Sequence, residues 1–197
     1  MDKRVVVLAS GSGSNLQALL DHPDTAAAVR GLLSDRPGAG ALERAARAGV
    51  TTGVVAFRDY DERAAWADAL AEATAALRPD LVVLAGFMRI LPGSFVERWP
   101  TLNVHPSLLP AFPGAHAVDD ALDWGVKVTG CTVHFVDEEV DHGPIVAQAC
   151  VAVEEGDDVA SLHARIQAEE HRLLPEAVAL FCADRLSVDG RHVRIQP

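Results

Sequence analysis

The run Leu102-Asn103-Val104-His105-Pro106-Ser107-Leu108-Leu109-Pro110, taken with Asp141-His142-Gly143-Pro144, supplies an amide, an imidazole and a carboxylate. Acyl transfer uses these groups. An Asn amide donates to a developing oxyanion without changing charge, and a protonated imidazole can donate to the same oxygen and pass a proton to the leaving group. A nearby carboxylate favours the imidazolium and is expected to raise the histidine pKa. If Leu102 to His105 closes a strand, side chains two apart leave the same face, so Asn103 and His105 project together. Pro106 keeps His105 extended and ends the strand. A capping Asn, a core His and a turn Asp are each ordinary; together near strand ends they make Asn103, His105 and Asp141 the catalytic candidates.

Gly11-Ser12-Gly13-Ser14-Asn15 opens a helix after an apolar run, so backbone N–H groups there can face an anion such as phosphate. A dinucleotide fingerprint would need glycine where Leu16 stands, and no Gly-Lys-Ser/Thr follows for a P-loop. The plainer reading is a tight turn capped by Ser14 or Asn15. Ala85-Gly86-Phe87-Met88-Arg89-Ile90-Leu91 follows another apolar run and offers a guanidinium and apolar side chains for a flat pocket, although Met88, Ile90 and Leu91 are residue types more often found in a core. Glu170 falls near the apolar stripe of a long C-terminal helix, with Gln167 one turn away; Glu169 lies at the other margin and is an equal candidate to face inward, and a salt bridge from Glu170 to Arg63, Arg89 or Arg172 is the bland alternative. His134 shares a strand face with Thr132 and points either to a pocket or to a hydrogen-bonded interior. The remaining histidines lack zinc-like spacing, so no metal is expected.

The elements that must position these groups alternate in the first half: Arg4 to Ser10, Val29 to Ser34, Gly53 to Phe57 and Asp80 to Gly86 read as strands, and Ser14 to Leu20, Ala39 to Ala48 and Asp61 to Leu77 as helices. That βαβ rhythm implies a parallel sheet with ligands at the carboxyl ends of its strands. Beyond Pro100 the pattern becomes a short strand through Asn103 and His105, a Pro/Gly-rich loop from Pro106 to Gly114, a helix near His116 to Trp124, and an antiparallel pair, Lys127 to Val136 with Ile145 to Val153. A final helix over Asp157 to Ala183 aligns Val159, Leu162, Ile166, Leu173, Ala177 and Leu180, with Pro175 expected to kink or divide it. The fold class is therefore α/β, Rossmann-like, with a parallel N-terminal sheet extended by antiparallel strands.

With 197 residues, 49% of them hydrophobic, the chain can bury one good core, so a single domain is expected. A net charge of -11, from 17 basic against 28 acidic residues, disfavours a nucleic-acid surface. Three cysteines without metal-like spacing suit reduced thiols, and the apolar run Val5 to Ala9 is too short for a membrane span or a signal core. The expectation is a cytoplasmic protein with no membrane partner.

Ser10-Gly11-Ser12-Gly13-Ser14-Asn15-Leu16-Gln17, Ala85 to Leu91, Asn103 to Pro110, Val133-His134-Phe135-Val136, Asp141 to Pro144 and Glu170-His171, in this order and spacing, resemble the folate-dependent phosphoribosylglycinamide formyltransferase family of purine biosynthesis along nearly the whole chain. The resemblance implies one formyltransferase domain over 1–197 with helices on both sheet faces, residues 1–100 forming the phosphate- and nucleotide-binding half and 101–197 the catalytic and folate-binding half. It implies 10-formyltetrahydrofolate as cosubstrate and glycinamide ribonucleotide as acceptor, the phosphate on Gly13, Ser14 and Asn15, and the ribosyl and glycinamide portion on Gln167 and Glu170. Folate would lie beside Arg63, Met88, Arg89, Ile90, Leu91 and Asn103, with Val136, Val140 and Asp141 in a loop that closes on the pteridine. His105 would be the general acid, Asp141 its electrostatic partner, and Leu109-Pro110 a cis bond. Ala117-Val118-Asp119-Asp120 replaces a stretch often more basic in relatives, and His142 occupies a variable position. Rival readings are a formyltetrahydrofolate deformylase, a methionyl-tRNA formyltransferase, for which there is no room for a basic second domain, and a noncatalytic nucleotide-sensing module. A monomer and a homodimer are equally open.

Overall fold

Val5–Leu8 (β1) is four consecutive apolar residues, all fully buried, as expected of a strand covered on both faces. Leu81–Leu84 (β4) repeats that pattern, Val29–Ser34 (β2) departs from it only at the exposed Arg30, and Thr51–Val54 (β3) is a mostly exposed edge. β1 pairs in parallel with β2 and β4, and β2 with β3, in the order β3-β2-β1-β4. Parallel neighbours need crossovers, supplied by α1 (Ser14–Asp21), α2 (Gly40–Arg47) and α3 (Arg63–Ala76). The order reverses between β1 and β4, so the crevice beyond their carboxyl ends is where such a sheet holds a ligand. There the two following loops are stitched together: Ser10 N–H donates to the Gly86 carbonyl at 3.1 Å and Met88 N–H to Ser10 Oγ at 2.9 Å.

The computed structural model describes residues 3–196, and internal packing divides the chain into two units between Leu102 and Asn103. Thr101–His105 (β5) straddles that division. In the second unit, α5 (Ala117–Asp123) leads into an antiparallel pair, Val128–Phe135 (β6) and Ile145–Ala152 (β7). Thr132 faces Gln148 and Val133 faces Ala147; the register then shifts so that His134 faces Ile145, leaving Val146 as the extra residue of a bulge. Val159–Cys182 (α6) opens on a reciprocal cap: Ser161 N–H donates to Asp158 Oδ1 at 2.8 Å and Asp158 N–H donates to Ser161 Oγ at 3.0 Å. Its buried face carries Leu162, Ile166, Glu170, Leu173, Leu174, Ala177 and Val178.

Several details depart from the sequence expectations. Pro175 does not divide α6: the helix runs unbroken through it, and its burial among Leu173, Leu174 and Ala177 offsets the lost hydrogen bond. Val159 is 41% exposed and Leu180 only half-buried, so the core stripe is centred further round the helix than the expected apolar stripe. The strand expected over Gly53 to Phe57 is Thr51–Val54, because Phe57 N–H turns back to the Asp35 carbonyl and starts a single 3₁₀ turn, Phe57–Asp59. The short helix Gly93–Val96 (α4) and a C-terminal hairpin, Leu186–Asp189 (β8) with His192–Ile195 (β9), were not foreseen. The Asp189-Gly190 dipeptide is the hairpin signal that was available. Among the described residues no helix is long and apolar enough to cross a membrane.

Candidate active site

β5 ends at His105, and strand alternation sends Asn103 and His105 to the same side. Asp141 meets both. His105 Nδ1 lies 3.3 Å from Asp141 Oδ2, and Asn103 Nδ2 donates to Asp141 Oδ1 at 3.4 Å. Asp141 has φ 54, a left-handed conformation that Asp tolerates better than most residues, and Gly114 N–H donates to its Oδ2 at 2.7 Å. The return of the chain to β7 depends on Gly143, where a Cβ would stand 1.9 Å from the Phe135 carbonyl oxygen. Leu109-Pro110 is cis.

His134 completes the cluster. It is buried, its Nδ1 is 2.9 Å from the Phe135 carbonyl, and its Nε2 is 3.1 Å from Asn103 Nδ2 and 3.7 Å from Asp141 Oδ1. A carbonyl can only accept, so Nδ1 carries a proton, and Nε2 faces the Asn103 amide and the Asp141 carboxylate. His134 is therefore both a hydrogen-bonded interior residue and a neighbour of the catalytic candidates. On the same reasoning His105 Nε2, 2.8 Å from the Phe112 carbonyl, is a donor, leaving Nδ1 toward Asp141.

The electrostatics correct one expectation. Burial is the largest influence on His105 and lowers its pKa below the ordinary 6.5; Asp141 and the Phe112 carbonyl pull upward, His134 pushes down with burial, and the net direction is down. Desolvation thus outweighs the carboxylate that was expected to raise it. For Asp141 burial works the other way, against the charged form, yet His134, the Gly114 N–H and the neighbouring imidazole charges together hold the carboxyl below its usual range.

On α6 the inward residue is Glu170, 4% exposed, whereas Glu169 pairs with Arg172 at 2.9 Å. Gln167, one turn earlier, is half-buried. Burial first, and the Glu170 charge second, push the Cys131 thiol up to about 12, which keeps it protonated and unreactive at neutral pH.

In the first unit, α1 begins at Gly13 with φ 78 and no side-chain cap, so neither Ser14 nor Asn15 plays the capping role expected of it. A Cβ on Gly13 would also meet Ala41 Cα at 2.6 Å. Arg44, which the sequence did not single out, reaches the turn from α2: its Nε donates to the Ser12 carbonyl at 2.9 Å and its Nη1 to Gln17 Oε1 at 3.2 Å. Arg63, Met88, Arg89 and Ile90 line a pocket of about 200 Å³ together with Phe57 and Trp66. Met88 and Ile90 are 61% and 56% exposed, while Leu91 is buried and outside that lining. Arg63 Nη2 donates to the Ile90 carbonyl at 2.7 Å. Arg89 lies 4.2 Å above the Phe57 ring and its Nε donates at 2.8 Å to Oδ2 of Asp35, a fully buried carboxylate that sequence reading passed over. In the 136–141 loop Val136 is half-buried and Val140 exposed.

An open α/β sheet whose following unit sets a side-chain amide, an imidazole and a carboxylate within hydrogen-bonding reach of one another defines an enzyme of group transfer at a carbonyl. Comparison with known proteins narrows the class. A formyl transferase family model matches residues 3–178. The chain is 53% identical over 192 residues to a phosphoribosylglycinamide formyltransferase of Mycobacterium tuberculosis, covering 95% of this chain and 89% of that one. It is 46% identical over 195 residues to the bovine trifunctional purine biosynthetic protein adenosine-3, of which it spans 19%. A crystal structure of glycinamide ribonucleotide transformylase 1 from Symbiobacterium toebii superposes with a TM-score of 0.95 at 52% identity, covering 99% of this chain and 94% of that one. The chain belongs to the formyl transferase family.

Proposed function

We infer that this enzyme transfers the formyl group of 10-formyltetrahydrofolate to the amine of glycinamide ribonucleotide, releasing tetrahydrofolate. The observation that carries the mechanism is the Asn103, His105 and Asp141 cluster, with His105 Nδ1 3.3 Å and Asn103 Nδ2 3.4 Å from the two oxygens of one carboxylate. The neutral amine attacks the formyl carbon, forming the new C–N bond. Protonated His105, and the Asn103 amide hydrogen released from its long 3.4 Å contact with Asp141, share the negative charge that develops on the formyl oxygen. As the bond to the folate nitrogen breaks, His105 gives that nitrogen its proton, and the imidazole recovers one from the attacking nitrogen, so protons balance. Asp141 keeps the imidazolium populated against the cost of burial.

In the first unit, the Gly13, Ser14 and Asn15 turn takes the nucleotide phosphate and the pocket of Arg63, Met88, Arg89 and Ile90 takes part of the folate. In the second, Gln167 and Glu170 meet the ribosyl and glycinamide portion, and Val136, Val140 and Asp141 contact the pteridine. The partners are these two small molecules, in the cytoplasm, with no nucleic acid or membrane involved. The test is to incubate the purified protein with 10-formyltetrahydrofolate, with and without glycinamide ribonucleotide, and identify the one-carbon product. Formylated nucleotide supports the reading; free formate made equally well without the nucleotide marks a deformylase and refutes it.

A further inference from the structure

The loop between His105 and Gly114 delivers two groups to the cluster, the Phe112 carbonyl to His105 Nε2 and the Gly114 N–H to Asp141 Oδ2. Phe112 sits at φ 51, a conformation a bulky side chain disfavours, so something must hold it there. That support is a closed set of hydrogen bonds. The Thr132 hydroxyl donates to the Ser107 carbonyl at 2.7 Å and accepts from Leu109 N–H at 3.0 Å and from Gln148 Nε2 at 2.9 Å. The second Gln148 Nε2 hydrogen goes to the Leu109 carbonyl at 2.9 Å. The hydroxyl and the amide nitrogen thereby use their whole hydrogen-bonding capacity on this loop and on each other. Within it, Ala111 N–H donates to the Leu108 carbonyl at 3.0 Å, and Ser107 Oγ donates to the Ala111 carbonyl. Thr132 and Gln148 are cross-strand neighbours on β6 and β7, so a rigid ladder is the anchor.

We propose that Gln148, acting with Thr132, is a positioning residue for catalysis: it fixes the loop whose Phe112 carbonyl claims the Nε2 proton of His105, so that Nδ1 is the nitrogen that carries and delivers the catalytic proton. The proposal rests on the general-acid role given to His105 above. Gln148 touches no reacting atom and is exposed on β7, so its replacement opens no cavity in the core. The titratable groups facing His105 are Asp141 and His134. With both unchanged, loss of the Phe112 carbonyl contact removes an upward influence on the imidazole, and the basic limb of the rate profile moves to lower pH.

Gln148→Leu is expected to lower kcat on the order of tenfold with KM for both substrates little changed, and to shift that limb downward. Nitrogen-15 NMR of histidine-labelled protein is expected to show one neutral tautomer of His105, protonated at Nε2, in the parent and a mixture in Gln148→Leu. Thr132→Val is expected to repeat the effect and Thr132→Ser to restore the parent behaviour. A Gln148→Leu enzyme with the parent's tautomer and pH profile overturns the proposal while leaving His105 as the acid. A His105→Ala enzyme with normal turnover overturns the catalytic reading itself, and the proposal with it.

Discussion

Replacing Asp141 with Asn removes one negative charge 3.3 Å from His105 Nδ1 while keeping the side chain's size. At an effective dielectric of about 20, two unit charges at that separation attract by about 5 kcal/mol, so losing the carboxylate lowers the imidazole pKa further still. His105 already lies below its ordinary value because burial dominates, and once Asp141 is neutral only the Phe112 carbonyl still pulls upward. At about pH 7.5 the imidazolium becomes a far scarcer species, and kcat is expected to fall by about 10²- to 10³-fold, within the range general-acid catalysis supplies. Binding involves other side chains as well, so KM should change much less. The assay is the initial rate of tetrahydrofolate release with saturating glycinamide ribonucleotide from about pH 5.5 to 9. Acidification refills the imidazolium, so the variant should recover part of its rate at the acid end. A variant within tenfold of the parent at neutral pH, or one whose rate fails to recover on acidification, refutes the electrostatic role.

Other expectations concern the supports of the site. Arg89→Leu leaves the fully buried Asp35 carboxylate with only the Arg36 guanidinium at 3.9 Å; because Arg89 is itself a third exposed, the cost lies toward the lower end of the about 3–5 kcal/mol for a buried pair, which thermal melting should register as a drop of at most roughly 10 °C, and an unchanged Tm would show the pair to be dispensable. Gly143→Ala drives a methyl group into the Phe135 carbonyl and should cost at least about 3 kcal/mol in urea unfolding and depress kcat by displacing Asp141. Glu170→Gln should raise KM for the nucleotide at least severalfold and leave KM for the folate unchanged, measured by varying each substrate in turn. Because the folded pKa of His105 is lowered, stability is fully present above its ordinary value of 6.5 and declines as pH falls toward the folded value; His105→Gln should flatten the dependence of the urea midpoint on pH just below 6.5.

Much of this was legible because apolar runs and turn residues sit where the strands of a βαβ pattern must begin and end. β1, β2, β4 and the β6–β7 pair could be placed from hydrophobic runs alone, as could the common face of Asn103 and His105. Less could be read where the decisive partner is remote in sequence. Arg44 reaches the Ser12 carbonyl across a whole βα unit, and Asp35 is matched by Arg89 from another strand's loop. Neither carries a local pattern. The balance at His105 was misjudged for a similar reason: a sequence reveals that a carboxylate is available, whereas desolvation depends on everything packed around the ring. Helix periodicity left Glu169 and Glu170 as equal candidates until burial separated them.

The single unmatched residue in the β6–β7 ladder, Val146, gives this hairpin an asymmetric tolerance to changes in length. A one-residue gain or loss between Thr129 and Thr132 would exchange inward and outward side chains and turn Thr132 away from the loop it anchors. At Val146 the ladder already absorbs an extra residue, so a deletion there would regularise the pairing while His134 kept Ile145 as its neighbour and Thr132 kept Gln148. Natural length variation among homologous hairpins should accordingly gather at that bulge and in the exposed stretch 138–140, and avoid the ladder between them and the far end of the pair.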